Sequence, residues 1–328
     1  MRSRYLLTAT FFFFLLQLQA QKLDSLLHKT VPSFTGQVAI IKNDSLVFSY
    51  SAGWMNYPLQ IPMNNDLLLE SGELSTFFTR EAIMDLVKSG KLKPEAPVAD
   101  YLPSFPYKNI TVNHLLNYTS GLPGNYLKLY HRYIYDDENI KVKDKVKNIT
   151  NADILEILQK FQPALEFNPG EKKSINNIND IVLAGLVEIL YFKNFEATIH
   201  EMTKSKYKEL KIVASSDFET TPVPLKASGH RRVDSTHFSM EESLSDIGFK
   251  YNDATMGHHH VYASAESMAR YFAANYHTID QALLPYSGHE PGFNSTLAFY
   301  KGMVIVILSN TSDEQDTQNI LKVLRAQF

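Results

Sequence analysis

The sequence predicts an α+β fold: an antiparallel sheet drawn from both ends of the chain, with a helical region between. Three observations carry that expectation. Near the start, β-rich runs at residues 36–41 and 46–51 flank the turn-forming pair Asn43-Asp44 and read as a hairpin. Near the end, runs at 295–300 and 303–309 flank Lys301-Gly302 in the same way. Between the two hairpins apolar residues recur at helical rather than alternating spacing.

Taken in order, residues 75–89 place Phe77, Phe78, Ile83, Met84, Leu86 and Val87 at helical intervals, and Gly90 supplies the stop. Short helices are expected at 111–118 and 151–160, with a polar, lysine-containing loop over 126–148 between them. Two more helices are expected at 177–190 and 263–275. The second has Ser264 as N-cap and Glu266 and Ser267 in its first turn. An amphipathic helix over 317–327 closes the chain. No repeat, low-complexity linker or shift in composition divides residues 21–328, which read as one domain.

Composition narrows the function classes. The chain has 328 residues, 44% hydrophobic and 20% charged, enough for a sizeable core. A net charge of -3 gives no electrostatic reason to expect nucleic acid or an anionic membrane surface, so a small, neutral or peptidic ligand fits better. The oligomeric state is not legible. Cysteine is absent, which excludes disulfides, a thiolate nucleophile, zinc–cysteine sites and a cysteine-borne lipid anchor. Arg2 and Arg4, an apolar run over 5–16 and the small residue Ala20 form a signal-peptide profile for residues 1–20. That run is shorter than the about 20 residues a span needs. The mature chain is therefore expected to be exported to periplasm or medium, with no integral span.

A family resemblance emerges along residues 72–123. Phe77-Phe78-Thr79 opens a helix ending Leu86-Val87-Lys88-Ser89-Gly90-Lys91-Leu92. Pro97-Val98, Tyr101-Leu102-Pro103, Ile110-Thr111-Val112, His114-Leu115-Leu116 and Thr119-Ser120-Gly121-Leu122-Pro123 follow in order. In content and order this is similar to the beta-lactamase-related serine hydrolases, which include class C β-lactamases, penicillin-binding proteins and D-Ala-D-Ala peptidases. Farther on, Phe167-Asn168-Pro169-Gly170-Glu171-Lys172 and Pro291-Gly292-Phe293 resemble segments beside that family's second and third motifs. The resemblance implies a β-lactamase/transpeptidase-like fold and no cofactor.

It also implies where chemistry would sit. The family carries a serine and a lysine three residues apart, on one helix face, so that the lysine can take the serine proton. Here those positions fall on Glu73 and Thr76, neither of which can fill its role in acyl transfer. The second motif falls on Ile175 and Asn177: the asparagine is kept and the proton-relaying phenol is not. The third falls on Tyr286 and Gly288, a phenol replacing the cation. The loop over 276–294 is shorter than the family's corresponding excursion, which implies loss of part of the sheet edge lining the groove. The one literal Ser-x-x-Lys, Ser205 to Lys208, lies in a lysine-rich polar stretch where chance accounts for it. Ser71 and Ser75 flank the lost position, and neither has a lysine three residues on.

These replacements imply a catalytically silent relative that retains a ligand-binding groove. Two alternatives stay open. Glu73, at a helix start with Asn177 and Tyr286 expected opposite, could serve a working esterase or peptidase as acid or base. The run His258-His259-His260 could hold a metal. Alternation along a strand would let His258 and His260 share an ion, against the blander expectation of a solvated loop.

Overall fold

The computed structural model describes residues 21–136, 148–208, 210–215, 226–232, 238–240, 252–276, 286–290 and 292–328. The expected signal peptide lies outside them. The chain packs as two compact units. One draws on Met1–Leu69, Leu225–Glu241 and Ala263–Phe328, the other on Glu70–Pro224 and Glu242–Tyr262.

The first unit is organised by a five-stranded antiparallel sheet of β1 (Gly36–Lys42), β2 (Ser45–Ala52), β3 (Tyr286–Glu290), β4 (Phe293–Tyr300) and β5 (Met303–Ser309), in the order β3-β4-β5-β1-β2. Both hairpins close as expected. Asn43 and Asp44 sit at φ 48° and 60°, Lys301 and Gly302 at 49° and 74°, the paired positive angles that match the twist of the flanking strands. β1 and β5 pair from Gly36 opposite Ser309 to Lys42 opposite Met303. Val38 and Ile40, with Ile305 and Ile307, face a core shared with Leu23 and Leu27 of a helical segment over 21–30 and with Ile320 and Leu324 of the helix Glu314–Gln327. Each such side chain stabilises by roughly 1.5–3 kcal/mol when fully buried. On the opposite face the helix Ala265–Ala274 packs against β1 and β5. Its first backbone N–H donates to Gln37 Oε1 at 2.8 Å, and Ser264 caps it by accepting from Ser267 N at 3.2 Å.

The second unit is helical: α1 (Thr76–Lys88), α2 (Asn151–Phe161), α3 (Asn177–Tyr191) and α4 (Phe195–Lys206). Every residue of α3 from Ile178 to Val187 is buried, the signature of a helix surrounded by others, and α1, α2 and α4 all pack on it.

The structure departs from expectation at three elements. Tyr126–Asp136 is a helix rather than loop, started by Asn125 Oδ1 accepting from Lys128 N at 2.7 Å. Helix α4 is not among the expected elements, and only its end overlaps the lysine-rich polar stretch around Ser205; Asn194 caps it, and Phe195, Ile199 and Met202 form its buried stripe. Tyr286–Glu290, inside the segment read as loop, is an edge strand paired with β4.

Candidate functional site

The chain enters α1 through a 3-10 turn, Gly72–Ser75. Ser71 N donates to Val261 O at 3.0 Å, and a ring of hydroxyls closes around that contact. Ser71 Oγ donates to Val261 O at 2.7 Å, Ser75 and Ser71 lie 3.0 Å apart through their oxygens, and Val261 N donates to Ser75 Oγ at 3.3 Å. Both serines are buried within this ring.

Glu73 lies within that turn, partly exposed, where the helix N-terminus favours a carboxylate. Thr76 is buried and donates its hydroxyl to the Glu73 carbonyl at 2.9 Å, a helix-start contact. Three residues after Glu73 there is thus a neutral group engaged with backbone. Ser205 is bound equally locally: its hydroxyl donates to Met202 O at 3.0 Å within α4.

The second pair sits where α3 begins. Asn177 is its first residue, partly buried, and Ile175 is 62% exposed, an apolar side chain facing water in place of a phenol. Asn176 and Asn179 do the local bonding. Ser120 donates to Asn179 Oδ1 at 2.6 Å, Asn179 Nδ2 to Asn176 Oδ1 at 2.7 Å, and Asn176 Nδ2 to Leu122 O at 3.1 Å. This buried chain ties the Thr119-Ser120-Gly121-Leu122 segment to the start of α3.

One turn into α3 lies a residue that sequence reasoning missed. Asp180 is buried, and Tyr118 donates to its carboxylate oxygens at 3.2 and 3.1 Å. Burial pushes the Asp180 carboxyl up to about 7; Arg80 and the Tyr118 hydrogen bond oppose that shift, and the Glu73 carboxylate adds to it. Arg80 stands 4.9 Å from the Tyr118 ring centroid and donates to Leu116 O at 2.7 Å. Glu73, Arg80, Tyr118 and Asp180 therefore form one electrostatic group at the α1–α3 contact. The available signal was an aspartate inside the apolar run Ile178 to Leu190.

Tyr286 and Gly288 belong to the first unit, on edge strand β3, opposite Leu297 and Ser295 of β4. Tyr286 is half-buried and Gly288 buried.

The histidine run corrects both sequence expectations. His258, His259 and His260 are all buried, so the loop is not solvated. Nor do its side chains alternate. Gly257 at φ 113° and His260 at φ 67° bend the backbone, and the 258 and 259 rings stack with centroids 3.9 Å apart. Gly257 permits this by pressing on α3: a Cβ there would lie 2.5 Å from Asp180 O. The His259 and His260 rings are equally close, 3.9 Å between centroids and tilted by 51°. His260 is engaged otherwise, its N–H donating to Glu70 Oε1 at 2.8 Å and its Nδ1 lying 3.4 Å from the Tyr262 hydroxyl.

The Beta-lactamase family model matches residues 28–286 of this chain. The chain belongs to that family. Among curated proteins it is 31% identical over 155 residues to penicillin-binding protein 4* of Bacillus subtilis, covering 47% of this chain and 32% of that one. It is 26% identical over 168 residues to a beta-lactamase of Escherichia coli, covering 48% and 39%. The chain thus spans 32% and 39% of the length of these two relatives. Among solved structures, a penicillin-binding protein from Bacillus halodurans superposes with a TM-score of 0.73 at 21% identity, covering 92% of this chain and all of that one. The D-amino acid amidase of Ochrobactrum anthropi, complexed with L-phenylalanine amide, gives 0.70 at 14%, covering 95% and 99%. These likenesses establish the β-lactamase/penicillin-binding fold.

Among the described residues no helix is long and apolar enough to cross a membrane.

Proposed function

We propose that this member of the Beta-lactamase family is exported and binds, without cleaving, a peptide, a cell-wall fragment or another protein at the surface where its relatives react. One observation carries the reading. The position that the family resemblance gives to the nucleophile holds Glu73, while the adjacent Ser71 and Ser75 hydroxyls are buried and engaged with Val261. The names of its penicillin-binding relatives support a binding role. Export rests on the charged and apolar pattern of residues 1–20.

The test is intact-mass analysis after incubation with a reactive β-lactam and with a fluorophosphonate, beside an active relative. The expected result is no adduct on this chain. A stoichiometric adduct at a defined residue overturns the reading. Export is checked separately, by N-terminal sequencing of protein recovered from periplasm or medium, with cleavage after Ala20 expected.

The Glu73–Asp180 group favours a second reading, a hydrolase using acid–base chemistry in place of a serine. A buried carboxyl pushed up to about 7, with the Glu73 carboxylate adding to the shift, is the kind of group that exchanges a proton near neutral pH. Chromogenic esters discriminate: turnover that disappears in Glu73→Ala supports this reading, and absence of turnover supports binding alone.

A further inference from the structure

We propose that the outer edge of β2 is a self-association surface, on which β2 of a second copy of this chain pairs two-fold and antiparallel so that the two sheets become continuous. The first support is in the sequence. Residues 45–65 hold no Asp, Glu, Lys or Arg, the longest such run in a chain that is 20% charged. Charged side chains are a usual means by which a sheet edge repels other strands, and this edge carries none. β2 is the outermost strand, bonded to β1 on one side, and among the described residues no strand pairs with its other side. The same segment exposes Val47, Trp54, Ile61 and, at 70%, Leu59; the last three belong to the short hairpin that follows β2. Loss of charge together with exposed tryptophan and aliphatic side chains is the composition of an interface centre.

The second support is geometric. A bulge at Val47 interrupts the pairing with β1, and from Phe48 opposite Ile40 to Ala52 opposite Gly36 the strand is regular. That regular stretch is as long as a typical strand. Phe48 and Tyr50 point into the core, while Ser49 is exposed on the other face and Ser51 is half-buried. A register centred on Tyr50 sets Ser49 of each copy opposite Ser51 of the other, hydroxyls that can hydrogen-bond across the strands. A strand that meets itself about a two-fold axis is antiparallel by symmetry, and each contact is made twice. No charge of either strand is buried by the pairing, so no desolvation penalty of that kind arises. A second copy also brings its edge already ordered by β1, which a free peptide does not, and this favours self-pairing over capture of an extended peptide. The surface lies at the opposite edge of the sheet from Tyr286–Glu290 and uses none of the positions aligned with the family's motifs.

The experiment is sedimentation velocity of the full chain over a hundredfold dilution series, with the emission of Trp54, the only tryptophan, read on the same samples. The expected result is a dimer that dissociates on dilution while the Trp54 emission moves to longer wavelength. Ser49→Lys and Ser49→Glu bring like charges together across the two-fold axis, and each is expected to raise the dimer dissociation constant at least tenfold. An equal mixture of the two variants is expected to sediment as a dimer again, which separates lost pairing from lost folding. A monomer at every concentration of the unaltered chain, single variants that dimerise as it does, or a mixture that stays monomeric overturns the proposal. So does a Trp54 emission that does not respond to dissociation.

Discussion

Replacing Asp180 with asparagine isolates the most perturbed carboxyl group of the second unit. Its ordinary value is 3.8, and burial lifts it to about 7 in the folded chain. The sign follows from linkage. Because the folded state holds the proton more tightly, this group contributes most to stability below pH 4, and that contribution is lost as pH rises through 7. A difference of roughly three pKa units at about 1.4 kcal/mol each amounts to about 4 kcal/mol between pH 4 and pH 8. Asp180→Asn removes that titration, while its amide oxygen still accepts from the Tyr118 hydroxyl. Urea denaturation of both proteins at half-unit steps should show Asp180→Asn gaining on the wild type steadily from pH 4 to pH 8, by up to about 4 kcal/mol, with no further gain above it. A difference independent of pH, or one that grows toward acid, would refute the assignment of a buried, near-neutral carboxyl.

Other perturbations have equally definite expectations. His258 has the opposite sign, because its folded value is depressed: its contribution is complete above pH 6.5 and is lost as pH falls below it, so His258→Phe should flatten the acid limb of the stability curve measured by urea denaturation. Gly257→Ala should cost about 3 kcal/mol or more by urea denaturation, since its Cβ would lie 2.5 Å from Asp180 O and 2.9 Å from Ala184 Cβ at φ 113°. Gly90→Ala, at φ 72° with nothing within 4 Å, should cost only about 1 kcal/mol. Ser120→Ala withdraws the donor from buried Asn179 Oδ1 and should cost about 1–3 kcal/mol in thermal or urea unfolding.

Most of the framework was legible because it is written in local signals. The two hairpins announced themselves through Asn43-Asp44 and Lys301-Gly302, and the Ser264 cap through its position before an apolar periodic run. What escaped was set by tertiary context. The aromatic residues of Tyr126–Asp136 are spread among Lys128, His131 and Arg132, which reads as polar loop unless the spacing of Tyr126, Leu129 and Tyr130 is followed. Edge strand β3, Tyr-Ser-Gly-His-Glu, has no β pattern of its own and is recruited by pairing with β4. The histidine run was misread because its burial depends on Gly257 meeting α3, a contact between residues nearly eighty positions apart. Asp180 was missed because an aspartate inside an apolar helix reads as an interruption until Tyr118 and Arg80 are seen beside it.

The groups that hold the second unit together are largely distinct from those at the aligned motif positions. Ser120, Asn176 and Asn179 join the start of α3 to the Thr119–Leu122 segment, and Thr79 donates to Gly257 O at 2.6 Å, all through side chains that the motif positions do not use. Glu73 and Ile175, by contrast, are solvent-facing to differing degrees, and Thr76 bonds only to the backbone of its own turn. A change at Glu73 or Ile175 therefore leaves the buried chain of hydrogen bonds intact, whereas a change at Ser120 or Gly257 does not. That separation gives a physical route by which a chain of this family could exchange its reacting side chains and keep its fold. It also makes the test of function clean, because Glu73→Ala should abolish any residual chemistry while leaving the unfolding free energy within about 0.5 kcal/mol of the wild type.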